Sequence, residues 1–300
     1  MTWIIASALM FFSSVGLYLM VRKSNQLQTP QTLNNLAMFL VPVLIYLILT
    51  WQTKTVYSPS LIEYVLLFVQ GAIFSYLGNV FSLRGIELAP NPGYSLIISK
   101  SYVVFTAIAS VFLFNSPLPI TSIIAIFFIV AFSALIMIEK NGNQETSSKS
   151  WIIFTMGSFF CWGLLALTAK YLYNLGMPVL TRLTYSMLIV VLMILAEMRR
   201  KRISLAQSSR KQLVTLLLIG LFGTSFNYFM QIGILLAPNV GFVNATNTAS
   251  ISLLTLMSAW LFKDHLSLKK MIGVAGVTVG LGGCCFCEGS GKIKSASLKK

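Results

Sequence analysis

The strongest constraint on this 300-residue chain is that it repeats itself at a fixed offset of 148 positions. Residues 79–93 align without a gap to residues 227–241, and nine of the fifteen positions are identical. Average composition predicts about one identity over such a stretch. Residues 3–5 and 151–153 also match, each reading Trp-Ile-Ile. The chain is therefore predicted to contain two copies of one structural unit.

Composition assigns these units to a lipid bilayer. Hydrophobic residues make up 56% of the chain and charged residues 10%, whereas a soluble domain has about 25% charged residues. The mean hydropathy is +0.81. Ten apolar segments approach or exceed the length that crosses about 30 Å of hydrocarbon. They lie near residues 3–21, 33–50, 62–83, 93–114, 120–138, 151–172, 178–197, 213–235, 241–262 and 271–287.

The repeat divides the ten segments into two groups of five. Because five is an odd number, the second copy should lie inverted in the membrane relative to the first. We therefore predict an all-α membrane protein with ten transmembrane helices arranged as two inverted five-helix repeats. The first repeat covers residues 1–140, a connecting loop 141–150, the second repeat 151–288 and a basic tail 289–300. No cleavage signal follows the first segment, so it is interpreted as a retained helix.

The positions of the basic residues predict the orientation in the membrane. A net charge of +15 suggests a nucleic-acid partner, but 14 of the 22 Lys and Arg residues fall in loops that follow odd-numbered segments. Loops that follow even-numbered segments hold only Lys54 and Lys170. Since excess basic charge marks cytoplasmic loops, we predict a multi-pass protein of the cell (inner) membrane. Both termini should be extracytoplasmic, although four lysines in the tail run against this orientation, and no nucleic-acid partner is expected.

Several short sequences occur in the second copy in a characteristic order. They are Trp162-Gly163, Lys170, Pro178, Ala237-Pro238-Asn239-Val240-Gly241, Leu261-Phe262-Lys263-Asp264-His265-Leu266-Ser267, Ile272-Gly273 and Gly280. In this order, the second copy resembles the EamA-type unit of the drug/metabolite transporter superfamily. The resemblance implies a ten-helix transporter whose central cavity is lined by helices 1, 3, 4, 6, 8 and 9. Members of that superfamily move amino acids, nucleotide sugars, cofactors and other small metabolites.

Acidic residues are few, and none is expected at membrane depth. All seven are predicted at helix ends or in loops; they are Glu63, Glu87, Glu139, Glu145, Glu197, Asp264 and Glu288. A cation/proton antiporter of the small multidrug type relies on a buried glutamate that exchanges a proton for a cationic drug. The sequence therefore argues against that mechanism.

Lys100 is a cation well inside a predicted segment, about 10 Å from the start of the fourth. Ionisable groups at such depth are costly and mark functional sites by default, although a lysine side chain is also long enough to reach the interface. The repeat favours a functional role, because the matching face of the ninth segment carries Asn244 and Thr248. We therefore predict that Lys100, Asn244 and Thr248 bind substrate, and that the ammonium meets a carboxylate or phosphate.

Mid-segment amides and aromatic residues are further candidates for substrate binding. Asn79 and Asn227 are related by the repeat, and Gln231 lies one turn beyond Asn227. The two asparagines should meet near the pseudo-twofold axis, where transporter sites lie. We predict that they bind substrate together with Gln231, Tyr76 and Trp162. The alternatives are hydrogen bonding between helices for the amides and ordinary packing for the aromatic residues.

Other features receive structural interpretations. Arg182 lies one turn into the seventh segment and is predicted to anchor that helix at the membrane interface. Small residues that include Gly71 and Gly78 predict a close contact between helices. The Pro-Asn sequences within residues 89–93 and 237–241 should form tight turns at opposite membrane faces, where they are positioned to act as gates.

These observations together predict a function. We expect a secondary transporter that moves a small polar metabolite, anionic or zwitterionic, such as an amino acid or a nucleotide-like metabolite, by alternating access. One alternative is a broad-specificity exporter of apolar amines or drugs. Another is a membrane-embedded enzyme or lipid-handling protein, which would need a His, Asp, Glu or Cys cluster at one interface. We predict no catalytic residue, no metal and no cofactor; the expected partners are a small-molecule substrate, the bilayer and a coupling ion or counter-substrate, and the protein should be a monomer.

Overall fold

The structure is a computed structural model that describes residues 1–54, 57–89, 92–138, 150–263 and 266–297. From residue 284 onward it describes the backbone of the last helix alone. Several residues discussed above lie outside the described residues, namely Pro90 and Asn91 of the first Pro-Asn turn, Glu139, Glu145, Asp264 and His265.

The described residues form helices joined by short connections, with no strand among them. The α-helices are Trp3–Gln26 (α1), Gln31–Gln52 (α2), Leu61–Phe68 (α3), Gly78–Leu88 (α4), Pro92–Lys100 (α5), Tyr102–Phe114 (α6), Ile120–Met137 (α7), Ser150–Asn174 (α8), Val179–Lys201 (α9), Arg210–Leu236 (α10), Val240–Phe262 (α11) and Leu268–Ser297 (α12). A π-helical segment, Val69–Leu77, joins α3 to α4, and a short 3-10 turn, Leu205–Gln207, precedes α10.

Eight helical stretches among the described residues are long and apolar enough to cross a membrane. They are α1, α2, Leu61–Leu88, Gly93–Phe114, α7, α8, α9 and α10. The predicted ninth and tenth segments fold as the helices α11 and α12. The prediction of an all-α, multi-pass membrane protein is therefore confirmed, while the count of ten spans and their inverted repeat remain predictions.

Polar residues at the ends of the apolar runs set where the helices begin. Ser60 and Glu63 form a capping box at α3, in which the Ser60 amide donates to the Glu63 carboxylate at 2.7 Å. Ser209 and Gln212 form the equivalent box at α10. Asn239 caps α11, since its side-chain oxygen accepts the Gly241 amide at 2.8 Å. Such caps satisfy amides that a helix start leaves unpaired.

The helices pack in pairs that join the two halves of the chain. α1 lies along α10, α4 along α8, α2 along α9, α6 along α11 and α7 along α12. α9 also packs on the π-helical segment, and α2 packs on α10. Each of these contacts joins a helix from the first 138 residues to one from residue 150 onward, so neither half forms its core alone.

Glycine permits the closest of these approaches. A Cβ atom placed on Gly71 in the π-helical segment would lie 2.6 Å from the backbone oxygen of Ser186 in α9. One placed on Gly78 would lie 2.7 Å from Cβ of Cys161 in α8. The predicted close helix contact at these small residues is therefore confirmed, and it brings α8 and α9 directly against the third span.

Candidate functional site

The span that contains Lys100 is interrupted at that residue. α5 ends at Lys100 and α6 begins at Tyr102, with Ser101 between them. The Ser101 amide still donates to Ile97 O at 3.0 Å, but the Val104 amide donates to Ser101 O, three residues back. The hydrogen bonds thus change spacing at Ser101, while Gly93–Phe114 remains one helical stretch.

Lys100 is half-buried at this break. Its ammonium lies within electrostatic range of the phenols of Tyr18 in α1 and Tyr102 in α6. No described residue accepts a hydrogen bond from the ammonium or forms an ion pair with it. The Tyr102 hydroxyl in turn lies beside Asn247 of α11. The break therefore brings a cation, two phenols and an amide from three different spans into one neighbourhood.

Two polar atoms on α11 are buried without a hydrogen-bond partner in the part of the chain that the structure describes. Asn244 is 0% exposed and donates from Nδ2 to Thr106 Oγ1 at 3.0 Å, but its Oδ1 has no hydrogen-bond partner among the described residues. Thr248, 2% exposed, likewise has an unpaired Oγ1. The two residues are four apart and so share one face of α11. Buried polar atoms are nearly always paired, which makes this face a candidate for an unseen water or ligand.

A small cavity of about 40 Å³ lies where α9 meets the third span. Its lining includes both Tyr76 and Asn79, and comprises Asn35, Phe39, Ser75, Tyr76, Asn79, Val80, Leu83, Val190, Ile194 and Glu197. Pockets that enclose small organic ligands measure about 300 Å³ or more, so this volume suits a few water molecules. The structure thus brings two predicted site residues together on a polar cavity.

Glu197 is a residue of this cavity whose role the sequence analysis missed. Its side chain is 15% exposed. The Tyr76 hydroxyl donates to Oε2 at 3.1 Å, and Lys201 Nζ donates to Oε1 at 2.6 Å. The sequence assigned Glu197 to a helix end, and it does lie one turn before the end of α9. Its spacing from the buried residues Val190 and Ile194 was the available signal, because these positions share one face of the helix.

Arg182 does not anchor α9 at the interface, and that prediction was wrong. The residue is 3% exposed, and its Nε donates to Gln70 Oε1 at 2.8 Å. Gln70 Nε2 donates to Thr168 Oγ1 of α8 at 2.9 Å. Gln70 lies nine residues beyond Leu61, so the guanidinium reaches about 13 Å into the third span. Because the guanidinium donates to a side chain at that depth, it does not extend to the lipid headgroups.

Gln231 of α10 lies near the start of α9, the end that carries Arg182. It is buried, and its Oε1 accepts a hydrogen bond from the Tyr173 hydroxyl of α8 at 2.9 Å. Tyr173 itself lies beside Arg182. Asn227 behaves differently, since it donates to Gly223 O of its own helix at 2.8 Å. The structure therefore does not bring Asn227 or Gln231 to the cavity that contains Asn79.

Trp162 and Lys170 occupy packing and capping positions. Trp162 is half-buried and packs against the main hydrophobic cluster. The Lys170 ammonium donates to the backbone oxygens of Ile234, Leu235 and Ala237 at 3.1, 2.9 and 3.1 Å. These are carbonyls at the end of α10, where a cation complements the helix dipole. Lys170 therefore links the end of α8 to the end of α10.

Comparison with known proteins gives a family match for part of the chain and a shared fold for most of it. Residues 149–284 match the model of the EamA-like transporter family. A crystal structure of another protein superposes with a TM-score of 0.76 over 93% of this chain and 96% of the other, at 12% sequence identity. At that identity the likeness shows a shared fold alone. No curated protein matches this chain.

The match to the EamA-like transporter family extends over residues 149–284, and the predicted resemblance is confirmed over these residues. Members of the family are membrane transporters of small molecules and not, in general, enzymes. The family match and the apolar helices together support a multi-pass membrane transporter of the drug/metabolite type.

Proposed function

We propose that the protein is a secondary transporter that moves a small anionic or zwitterionic metabolite by alternating access. The observation that carries the proposal is the Lys100 ammonium between α5 and α6, which has no hydrogen-bond or ion-pair partner among the described residues. A half-buried cation without a counter-charge attracts a carboxylate or phosphate. The unpaired Asn244 Oδ1 and Thr248 Oγ1 supply acceptors for an ammonium or hydroxyl of the same substrate.

The contacts of α6 connect these two halves of the proposed site. Tyr102 and Thr106 lie four residues apart on α6 and so face the same way. Tyr102 lies beside Asn247 and Thr106 accepts from Asn244, which places this face of α6 against the polar face of α11. Lys100 comes two residues before Tyr102. In the proposal, substrate binds where the span that contains Lys100 meets α11.

The packing of the helices supports the ten-helix inverted repeat within this proposal. When residue numbers are shifted by 148, α1 corresponds to α8 and α10 to the third span. The contact of α1 with α10 therefore corresponds to the contact of α8 with α4. The same shift converts the contact of α2 with α10 into that of α9 with the π-helical segment. The contacts of α2 with α9, α6 with α11 and α7 with α12 convert into themselves. This is the pattern expected of two units that exchange by a twofold rotation, as the repeats of many transporters do.

Lys100 variants test the proposed function. The purified protein would be screened by thermal shift with L-serine, L-glutamate, AMP and phenylethylamine, and the ligand that stabilises it would be measured in proteoliposome counterflow. Lys100→Ala should abolish both signals, while Lys100→Arg should keep part of each because the charge remains. Lys54→Ala, which removes an exposed loop cation, is the matched control. Normal counterflow by Lys100→Ala would contradict the proposal.

Glu197 gives specific support to a second candidate, the export of apolar amines. That function needs a carboxylate within the protein, and Glu197 lines a cavity with Tyr76 and Asn79. Stabilisation by phenylethylamine alone, lost in Glu197→Gln and unaffected in Lys100→Ala, would favour the exporter over the metabolite transporter.

A further inference from the structure

Arg182 is a buried cation for which the described residues provide no carboxylate. The groups around its guanidinium come from every helix that packs there. Gln70 of the π-helical segment accepts from Nε, Tyr173 of α8 lies beside it, and Tyr46 of α2 lies within electrostatic range. Gln231 of α10 approaches through Tyr173. All of these side chains are neutral polar groups.

The neutral surroundings leave the charge of Arg182 uncompensated. A buried ionised group without a counter-charge is unfavourable unless its hydrogen bonds are complete. The start of α9 adds a partial positive charge of the same sign. An amide oxygen is a weaker acceptor for a guanidinium than a carboxylate or phosphate oxygen, whose charge-assisted bonds are about twice as strong. The Gln70 amide therefore occupies a position that an anion would fill more favourably.

We propose that Arg182 is an anion-binding residue, which takes a carboxylate or phosphate group by exchanging the Gln70 amide for it. The inference rests on the proposed function, because it concerns the anionic group of the transported substrate. The Tyr173 hydroxyl beside Arg182 already donates to Gln231 Oε1, so the guanidinium supplies the donors to the anion. The site is distinct from Lys100, which lies on the break of a different span.

Two substitutions act on this exchange in opposite directions. Arg182→Gln removes the cation and should abolish binding of simple anions, while Arg182→Lys should weaken it because the fork of donors is lost. Gln70→Leu removes the competing amide. If Gln70 must be displaced, Gln70→Leu should bind anions about five times more tightly, the equivalent of one neutral hydrogen bond.

The experiment measures thermal stabilisation of the purified full-length protein by sodium acetate and by sodium phosphate, each against sodium chloride at equal ionic strength. Arg84→Gln is the matched control, because Arg84 is an exposed arginine paired with Glu87. Loss of the acetate or phosphate signal in Arg182→Gln, together with a gain in Gln70→Leu, supports the inference, and the stronger of the two salts identifies the anion class. A gain in Gln70→Leu supports it even where Arg182→Gln does not fold.

The same variants separate this inference from the proposed function. Equal stabilisation of the wild type, Arg182→Lys and Gln70→Leu overturns the inference, and so does an equal loss in Arg84→Gln. If Lys100→Ala abolishes counterflow in that case, the proposed function stands without Arg182. If Lys100→Ala and Arg182→Lys both transport like the wild type, the proposed function and the inference fail together.

Discussion

The two ends of α9 meet the π-helical segment in contrasting ways. At the end where α9 begins, Arg182 donates to Gln70, and the side chains around it are buried and paired. At the other end, Glu197 accepts from Tyr76 beside a cavity of about 40 Å³. Arg182 and Glu197 are fifteen residues, or about 22 Å, apart along one helix. One interface thus carries a cation in a packed region and an anion in a loosely packed one.

The contrast teaches that the two repeats differ in where they carry charge, because both charged residues of this interface have uncharged counterparts in the first repeat. At the offset of 148, Arg182 corresponds to Asn34 and Glu197 to Leu49. The related contact of α2 with α10 depends instead on the Tyr46 hydroxyl, which donates to Thr224 O at 2.7 Å. In the proposed alternating access, side-chain pairs that cross an interface part when it opens, so a substrate or ion would act on the opening of the charged interface.

The substitution expected to affect stability most is Gly71→Ala, where α9 closely approaches the π-helical segment. Gly71→Ala places a Cβ atom 2.6 Å from Ser186 O, a backbone atom that cannot move aside without shifting α9. Overpacking of this kind costs about 1–3 kcal/mol, so the melting temperature in detergent should fall. Gly282→Ala is the control, since a Cβ atom there meets no described atom within 4 Å. An unchanged melting temperature in Gly71→Ala would show that the interface is looser than described.

A double-mutant cycle at Tyr76 and Glu197 should reveal the next largest effect. The hydrogen bond from a phenol to a carboxylate contributes about 1.5 kcal/mol or more when shielded from water. Tyr76→Phe and Glu197→Gln should therefore each destabilise the protein, and the double variant should lose less than their sum. The losses would be measured by chemical denaturation in detergent. If they add strictly, the hydrogen bond between Tyr76 and Glu197 contributes no stability, and the described contrast between the two ends of α9 does not hold.

Hydropathy and the internal repeat predicted the helices closely. The predicted segments 62–83 and 213–235 correspond to Leu61–Leu88 and Arg210–Leu236. The differences arise at helix ends, because hydropathy stops where polar residues begin, whereas helices continue through polar turns. The sequence did not predict the π-helical segment, because a wider helical turn does not alter the average hydropathy of a segment.

The candidate site was predicted less completely. Lys100, Asn244 and Thr248 were identified because they are polar at mid-segment positions, where hydropathy exposes them. Arg182 and Glu197 were assigned to helix ends because hydropathy follows position along the chain and does not show which face of a helix a residue occupies. Spacing of four residues relates Arg182 to the buried Ser186 and Val190, so helical periodicity would have placed its side chain inward.

Substitution of Lys170, near the end of α9 that carries Arg182, should have a moderate effect on the free energy of unfolding. Its ammonium donates to three carbonyls at the end of α10. Interaction of a partly buried cation with a helix C-terminus contributes about 1 kcal/mol. Lys170→Met, which keeps the length of the side chain, should lower the free energy of unfolding by that amount. A neutral result would mean that water replaces the ammonium at these carbonyls without loss.

Lys201 should contribute the smallest effect, at the Glu197 end. Its ammonium lies 2.6 Å from Glu197 Oε1, but its side chain is 49% exposed. Ion pairs of exposed residues four apart on a helix contribute about 0.3–0.5 kcal/mol, because water and salt screen the charges. Lys201→Ala should therefore lower the free energy of unfolding less than Tyr76→Phe, and the small difference should vanish in high salt. A larger, salt-resistant loss would mean that Lys201 rather than Tyr76 holds the carboxylate at the cavity.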